Sequence, residues 1–397
     1  MGEDCKVKMI VPLLLLFLDP LRSGLGVTEV LGPNRFESFC QFELNIDHDW
    51  SEATRTIDTN MLGSTHVTFL DENTLVVSFL HTTPATVRSP VPIPGQAPLV
   101  VKALFIDIST CKVRDTREWP ATRRTRSRIM PIHDGGFLVQ AGDVLMTYSL
   151  DLNKKADRFL PELRDGTYSR QFDVGPGGRL GFMTLRKGSD ATDIWFDVDT
   201  LQTISDSATH GPGGHGPISV SAKGLLSPRF SSVDQPWNPF AWIQETGKEW
   251  KPLCTNLIPD PTDRLHFFVH TEFLADDQFL LVDTRRFSVV DRKCHILIGG
   301  DVHWTGPYSV EVEKSLSGRR FAIQQLSHWG IRVPFTRPNF NQHLHVKVYD
   351  VDSKREVFDV DFGSHDTRQI GLALSPQGSR LAVLAESSIK VYQLPLQ

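Results

Sequence analysis

Residues 370–394, IGLALSPQGSRLAVLAESSIKVYQL, decide the fold. Ile370 to Leu374, Arg380 to Leu384 and Ser388 to Leu394 are short β-branched and aliphatic runs too brief for helices, and each is bounded by turn residues. Pro376 fixes φ, and Gly378 is free to take a positive φ, so Ser375-Pro376-Gln377-Gly378 reverses the chain between two apolar strands. The stretch reads strand, tight turn, strand, short turn, strand.

The same unit recurs upstream. Phe69 to Asn73 precedes Leu75-Val76-Val77, His133 to Gly136 precedes Phe137-Leu138-Val139, and Val174 to Gly178 precedes Leu180-Gly181-Phe182. Val220 to Gly224 leads into Leu225-Leu226, Leu274 to Asp277 into Phe279 to Val282, and Leu316 to Gly318 into Phe321-Ala322-Ile323. With the last unit this makes about seven, spaced by roughly 40 to 60 residues, the period of four-stranded blades with loop insertions. A third-strand echo follows in Ala103 to Ile108, Leu145 to Leu150, Asp193 to Asp199 and Val346 to Asp352.

The pattern "SPxGxxLA" followed by "IxVYxL" resembles the repeat of the WD40 and YVTN β-propeller families. The resemblance covers nearly all of the chain after residue 35 and implies an all-β fold: a single seven-bladed β-propeller of four-stranded antiparallel blades over residues 27–397. The Gly-His and Trp-Asp signatures of strict WD40 repeats are missing. The last unit ends three residues after Leu394 and lacks a fourth strand, so a closed ring must take one from the amino-terminal side. Residues 36–46, FESFCQFELNI, have the alternation to supply it.

Hydrophobic residues make up 40% and charged residues 22%, which excludes a disordered chain. A net charge of -5 provides no general field for nucleic acid or an anionic membrane. Lys6 and Lys8 precede an apolar run over residues 9–18, then Asp19-Pro20 and Ser23 to Gly26. That is the layout of a signal peptide spanning residues 1–26, so a secreted or periplasmic location is expected, with no membrane span. Cleavage leaves Cys40, Cys111, Cys254 and Cys294, whose wide separation and lack of a CxxC pair read as buried free thiols.

Candidate binding residues are scattered. Arg123, Arg124 and Arg126 lie in an arginine-rich connector running from Arg114 to Arg128 that offers forked donors to an anion, although a solvated connector also fits. Trp237 and Trp242 belong, with Trp250, to an aromatic insertion suited to a sugar or peptide, or to blade packing. His303 and His328 each sit beside a tryptophan, while His343 and His345 share one strand face and read as structural. Proline-rich insertions over residues 82–98 and 332–343 are either recognition loops or stiff surface loops.

No nucleophile elbow, Walker loop, HExxH helix or dinucleotide fingerprint stands in its structural context, so no catalytic residue, metal or cofactor is assigned. The expectation is a monomeric, non-catalytic scaffold for a protein or small-molecule ligand. The alternative is a lactonase-like hydrolase with a metal in the central channel, for which Asp276, Asp283, Asp301, His303 and His328 are eligible.

Overall fold

Each apolar run bounded by turns becomes a strand, and the strands group in fours. A computed structural model describes residues 36–44, 65–81, 100–120, 128–163, 168–187, 190–209, 219–228, 241–245, 248, 250–257, 268–302, 310–327, 341–366, 370–385 and 387–395. Blade 1 covers residues 66–120, blade 2 129–159, blade 3 168–209, blade 4 219–253, blade 5 268–301 and blade 6 310–366. In each, four consecutive strands lie side by side and antiparallel.

Blade 7 takes Ile370–Leu374, Arg380–Ala385 and Ser388–Gln393 from the carboxyl end and its outermost strand, Ser38–Glu43, from the amino end. Phe42 stands opposite Ile389 and Gln41 opposite Lys390. The ring is therefore a seven-bladed β-propeller, closed as the sequence predicts. The inner strands His66–Phe69, Ile129–Pro131, Tyr168–Val174, Ser219–Ser221, Phe268–Ala275, Val310–Lys314 and Ile370–Leu374 each touch the next, and the last touches the first.

The core lies between blades, because each sheet buries both faces against its neighbours. Phe105 meets Phe137 at 5.6 Å between blades 1 and 2; Phe287 meets Phe321 at 5.6 Å between blades 5 and 6. All four rings are essentially inaccessible to solvent, each contributing about 1.5–3 kcal/mol by burial alone.

The cysteines are not free thiols. Cys40 is bonded to Cys111 and Cys254 to Cys294, with Cα separations of 5.6 and 5.2 Å. Each bridge joins the outer strand of one blade, or the residue that follows it, to the turn before the outer strand of the next: blade 7 to blade 1, and blade 4 to blade 5. The wide sequence spacing that argues against pairing is what a ring of blades requires. Arginines serve the same junction elsewhere, Arg114 donating to the Leu150 carbonyl (3.3 Å) and Arg158 to the Leu201 carbonyl (3.0 Å).

Candidate functional site

The seven inner strands surround a central channel whose two ends differ. At one rim the chain turns from each inner strand to the second strand, and these turns interlock. The Gly177 amide donates to the Leu316 carbonyl (3.0 Å), and the Ser317 amide donates to the Pro376 carbonyl (2.9 Å). Glu72 of blade 1 accepts from the Gln377 amide and the Ser375 hydroxyl, both at 2.8 Å, and from the Ser379 hydroxyl of blade 7.

Blades 3 and 6 are not neighbours, so the bond from Gly177 to Leu316 crosses the mouth. The turn Pro176–Gly178 achieves this reach with two successive residues at positive φ, 74° and 71°. Outside the seal lies a cavity of about 380 Å³ floored by Leu70, Ile132, Leu316 and Pro376 and edged by Glu72 and His133.

Inside the seal the wall is charged. Lys314 pairs with Glu272 and also donates to the Phe273 carbonyl at 3.2 Å. The Ser219 hydroxyl donates to the same carboxylate while accepting from the Phe273 amide at 2.9 Å, and His270 Nε2 stands 3.4 Å from its second oxygen. Burial alone would push the Glu272 carboxyl up, but Lys314 and His270 outweigh it and hold the group well below the usual range.

Asp173 follows the opposite course. Burial, reinforced by Glu272, raises it against the pull of Lys314. Glu313 is pushed up to about 8, first by burial and then by Asp173 and Glu272, against Arg128 and Lys314. Burial raises Glu311 as well, and burial with Arg128 nearby lowers His66 to about 3. Glu311 is exposed and Glu313 half-buried along the inner strand of blade 6. Burial thus favours the neutral form of Glu313 over the charged one.

Arg123, Arg124, Arg126, Trp237, His303 and His328 lie outside the described residues, as do residues 82–98 and 332–340 of the proline-rich insertions. Trp242 is half-buried in the third strand of blade 4, on the same sheet face as Trp250. Trp250 packs with Phe182 and Trp195 of blade 3. His343 pairs with Asp361 at 3.3 Å and His345 with Asp359, across the third and fourth strands of blade 6.

Asp276 lies in the turn before the strand Gln278–Asp283 of blade 5, and Asp283 ends that strand, its carboxylate accepting from the Arg285 and Arg286 amides at 2.7 and 2.8 Å. Asp301 is exposed at the end of that blade's outer strand. Among the described residues no three His, Cys, Asp or Glu are grouped to hold a metal ion. The channel residues Asp173, Glu272, Glu311, Glu313 and Lys314 escaped the sequence reading. For Asp173, Glu272, Glu313 and Lys314 the signal is charge near the end of an inner strand, just before the turns at Val174 to Gly178, Leu274 to Asp277 and Leu316 to Gly318; Glu311 stands near the start of its strand.

No protein-family model matches the chain, and no curated protein matches it. Solved structures similar to it include the C-terminal WD40 domain of Sif2, at 13% identity over 91% of this chain and 99% of that one, with a TM-score of 0.43. A chain of a mitotic checkpoint complex matches at 13% identity over 96% and 98%, with a TM-score of 0.49. Kluyveromyces lactis Hsv2 matches at 15% identity over 66% and 71%, with a TM-score of 0.41. The propeller assignment for this chain rests on its own seven sheets and closed circle of inner strands.

Proposed function

We propose that this chain is an exported, monomeric, non-catalytic scaffold that binds a protein or small-molecule ligand over the rim opposite the sealed one. The observation that carries the reading is the asymmetry of the rims. On the sealed rim the connections are tight, two residues between Ala275 and Gln278 in blade 5. On the other, the hairpin of blade 1 leaves at His81 and returns at Val100, that of blade 4 leaves at Pro228 and returns at Ala241, and that of blade 6 leaves at Ser327 and returns at Asn341. A hairpin needs only a few residues, so long insertions gathered on one side of a rigid scaffold are where recognition is carried. The two disulfides support export, since such bonds persist in oxidising compartments.

The test is a selection of displayed peptides against the purified protein. Selected binders are expected to lose affinity when residues 82–99 and 328–340 are replaced by short turns, and to keep it in His133→Ala on the sealed rim. Binders indifferent to the trimmed hairpins but lost with His133→Ala would overturn the reading. Export is checked by sequencing the mature amino terminus: a start at residue 27 supports it, and a retained leader refutes it.

A further inference from the structure

One strand of the ring is not tied to its own blade by the chain. In blades 1 to 6 the outer strand follows the third strand directly, whereas in blade 7 Ser38–Glu43 arrives from the opposite end of the chain and pairs with Ser388–Gln393. Few side chains hold it. Of its residues only Cys40 is buried, and Phe39 is 46% exposed with the Arg380 guanidinium over its ring at 5.4 Å. The bridge from Cys40 to Cys111 of blade 1 fastens the strand covalently. Cys111 stands half-buried in its turn between exposed Thr110 and Lys112, and that is the side from which a reductant approaches the bridge.

The edge that this strand covers is flanked by apolar side chains. Ile389 and Val391 are buried with Ser38–Glu43 in place, in one core with Cys40, Leu44 and, from blade 1, Val67 and Phe69. An uncovered edge of this kind recruits another strand. The segment whose register fits it is this chain's own: Phe42 falls opposite Ile389, Glu43 opposite Ser388, and Cys40 meets Cys111. Residues 44–65 join that segment to blade 1 and can extend to about 70 Å, enough to reach a second copy. We propose that the Cys40–Cys111 bridge is a redox latch on an exchangeable strand: when it is open, two copies of this chain trade Ser38–Glu43, and each closes blade 7 of the other. Opening is a two-electron step in which a dithiol gives two electrons and two protons to the bridge, leaves Cys40 and Cys111 as thiols and itself becomes a disulfide. The exchanged pair repeats the strand contacts of the closed monomer, so protein concentration drives the exchange. Opening Cys254–Cys294 has no such effect, because Trp250–Leu253 stays joined by the chain to its neighbour Ala241–Glu245. The monomer of the rim reading is the oxidised form, so a dimer that needs reduction leaves that reading intact.

The experiment mixes unlabelled and isotope-labelled full chain, both carrying Cys5→Ser so that only the paired cysteines remain. The mixture is reduced with dithiothreitol at high protein concentration, reoxidised with glutathione disulfide and separated by gel filtration. A dimer is expected after reduction and none without it. In that dimer about half of the linked Cys40–Cys111 peptides should join a labelled to an unlabelled partner, as random pairing of copies gives, while Cys254–Cys294 peptides stay unmixed. A chain that remains monomeric when reduced, a dimer whose Cys40–Cys111 peptides are unmixed, or equal mixing at Cys254–Cys294 would overturn the proposal. Loss of the β-sheet circular dichroism on reduction would do so as well, since the latch requires the ring to survive its opening.

Discussion

The amide of Gly177 donates to the carbonyl of Leu316 at 3.0 Å, tying blade 3 to blade 6 across the mouth of the ring. Neither residue contributes a functional side chain; the turn sequences alone place the two backbones together. Their effect is structural: the bond links the inner-strand turns of two blades that are not neighbours in the ring.

Two glycines in these turns separate conformation from packing. Gly177, at φ +74°, has open space where a Cβ would stand, so Gly177→Ala is expected to cost only the left-handed conformation, about 1–2 kcal/mol. Gly318, at φ +71°, would drive a Cβ onto the backbone carbonyl of Leu274 in blade 5. Gly318→Ala adds displacement of one blade from the next and should cost about 3 kcal/mol or more. Urea denaturation of the two variants gives the comparison, and equal losses would refute the packing argument.

Arg320 fixes the junction of blades 6 and 7. Its guanidinium, 5% exposed with the rest of the residue, donates to Asp350 at 2.9 Å, to the Gly378 carbonyl at 2.8 Å and to the Pro395 carbonyl at 2.6 Å. Arg320→Met leaves Asp350 buried without its cation, and a loss of about 3–5 kcal/mol is expected. Replacing Asp350 as well, by Asn, should recover part of it. A double-mutant cycle by chemical denaturation measures this coupling, and strict additivity would show that the pair does not act as one.

These junctions explain what a linear reading reaches and what it does not. The seven turns, the third strands and closure through Phe42 opposite Ile389 are legible because turn chemistry and alternation are local. Cys40 and Cys111, 71 residues apart, face each other only because blade 7 closes onto blade 1. Asp173, Glu272 and Glu313 come from blades 3, 5 and 6, and each looks like an ordinary polar residue in its own strand. Their common surroundings arise from the circle of inner strands, which no single repeat contains.

Stability should fall as pH rises from 6.5 to 8. The folded state keeps a proton on Glu313 up to about 8, while the unfolded chain releases it near 4.5, so unfolding is favoured progressively across that interval. His66 acts in the opposite sense below 6.5: the unfolded chain takes up a proton there that the folded chain refuses until about pH 3. Between 6.5 and 8 only the first effect operates for this pair. The urea midpoint is expected to decline through that window in the wild type and to be flatter in Glu313→Gln. Parallel declines would remove Glu313 as the source.

The two disulfides should contribute unequally to closure although their loop entropies are similar. In the chain-entropy picture, loops of 71 and 40 residues each restrain the unfolded state by about 4 kcal/mol. Cys254 to Cys294 joins two blades that the chain already connects in sequence, whereas Cys40 to Cys111 holds the one strand that closes the ring from the other end of the chain. Without that bridge, Ser38–Glu43 is kept by its pairing with Ser388–Gln393 and can fray, exposing the edge of blade 7. Cys40→Ser with Cys111→Ser is therefore expected to lower the melting temperature and to raise amide exchange over residues 388–393. Cys254→Ser with Cys294→Ser should lower the melting temperature while leaving exchange in that strand unchanged. Equal exchange over residues 388–393 in both pairs would show that strand pairing alone holds the ring shut.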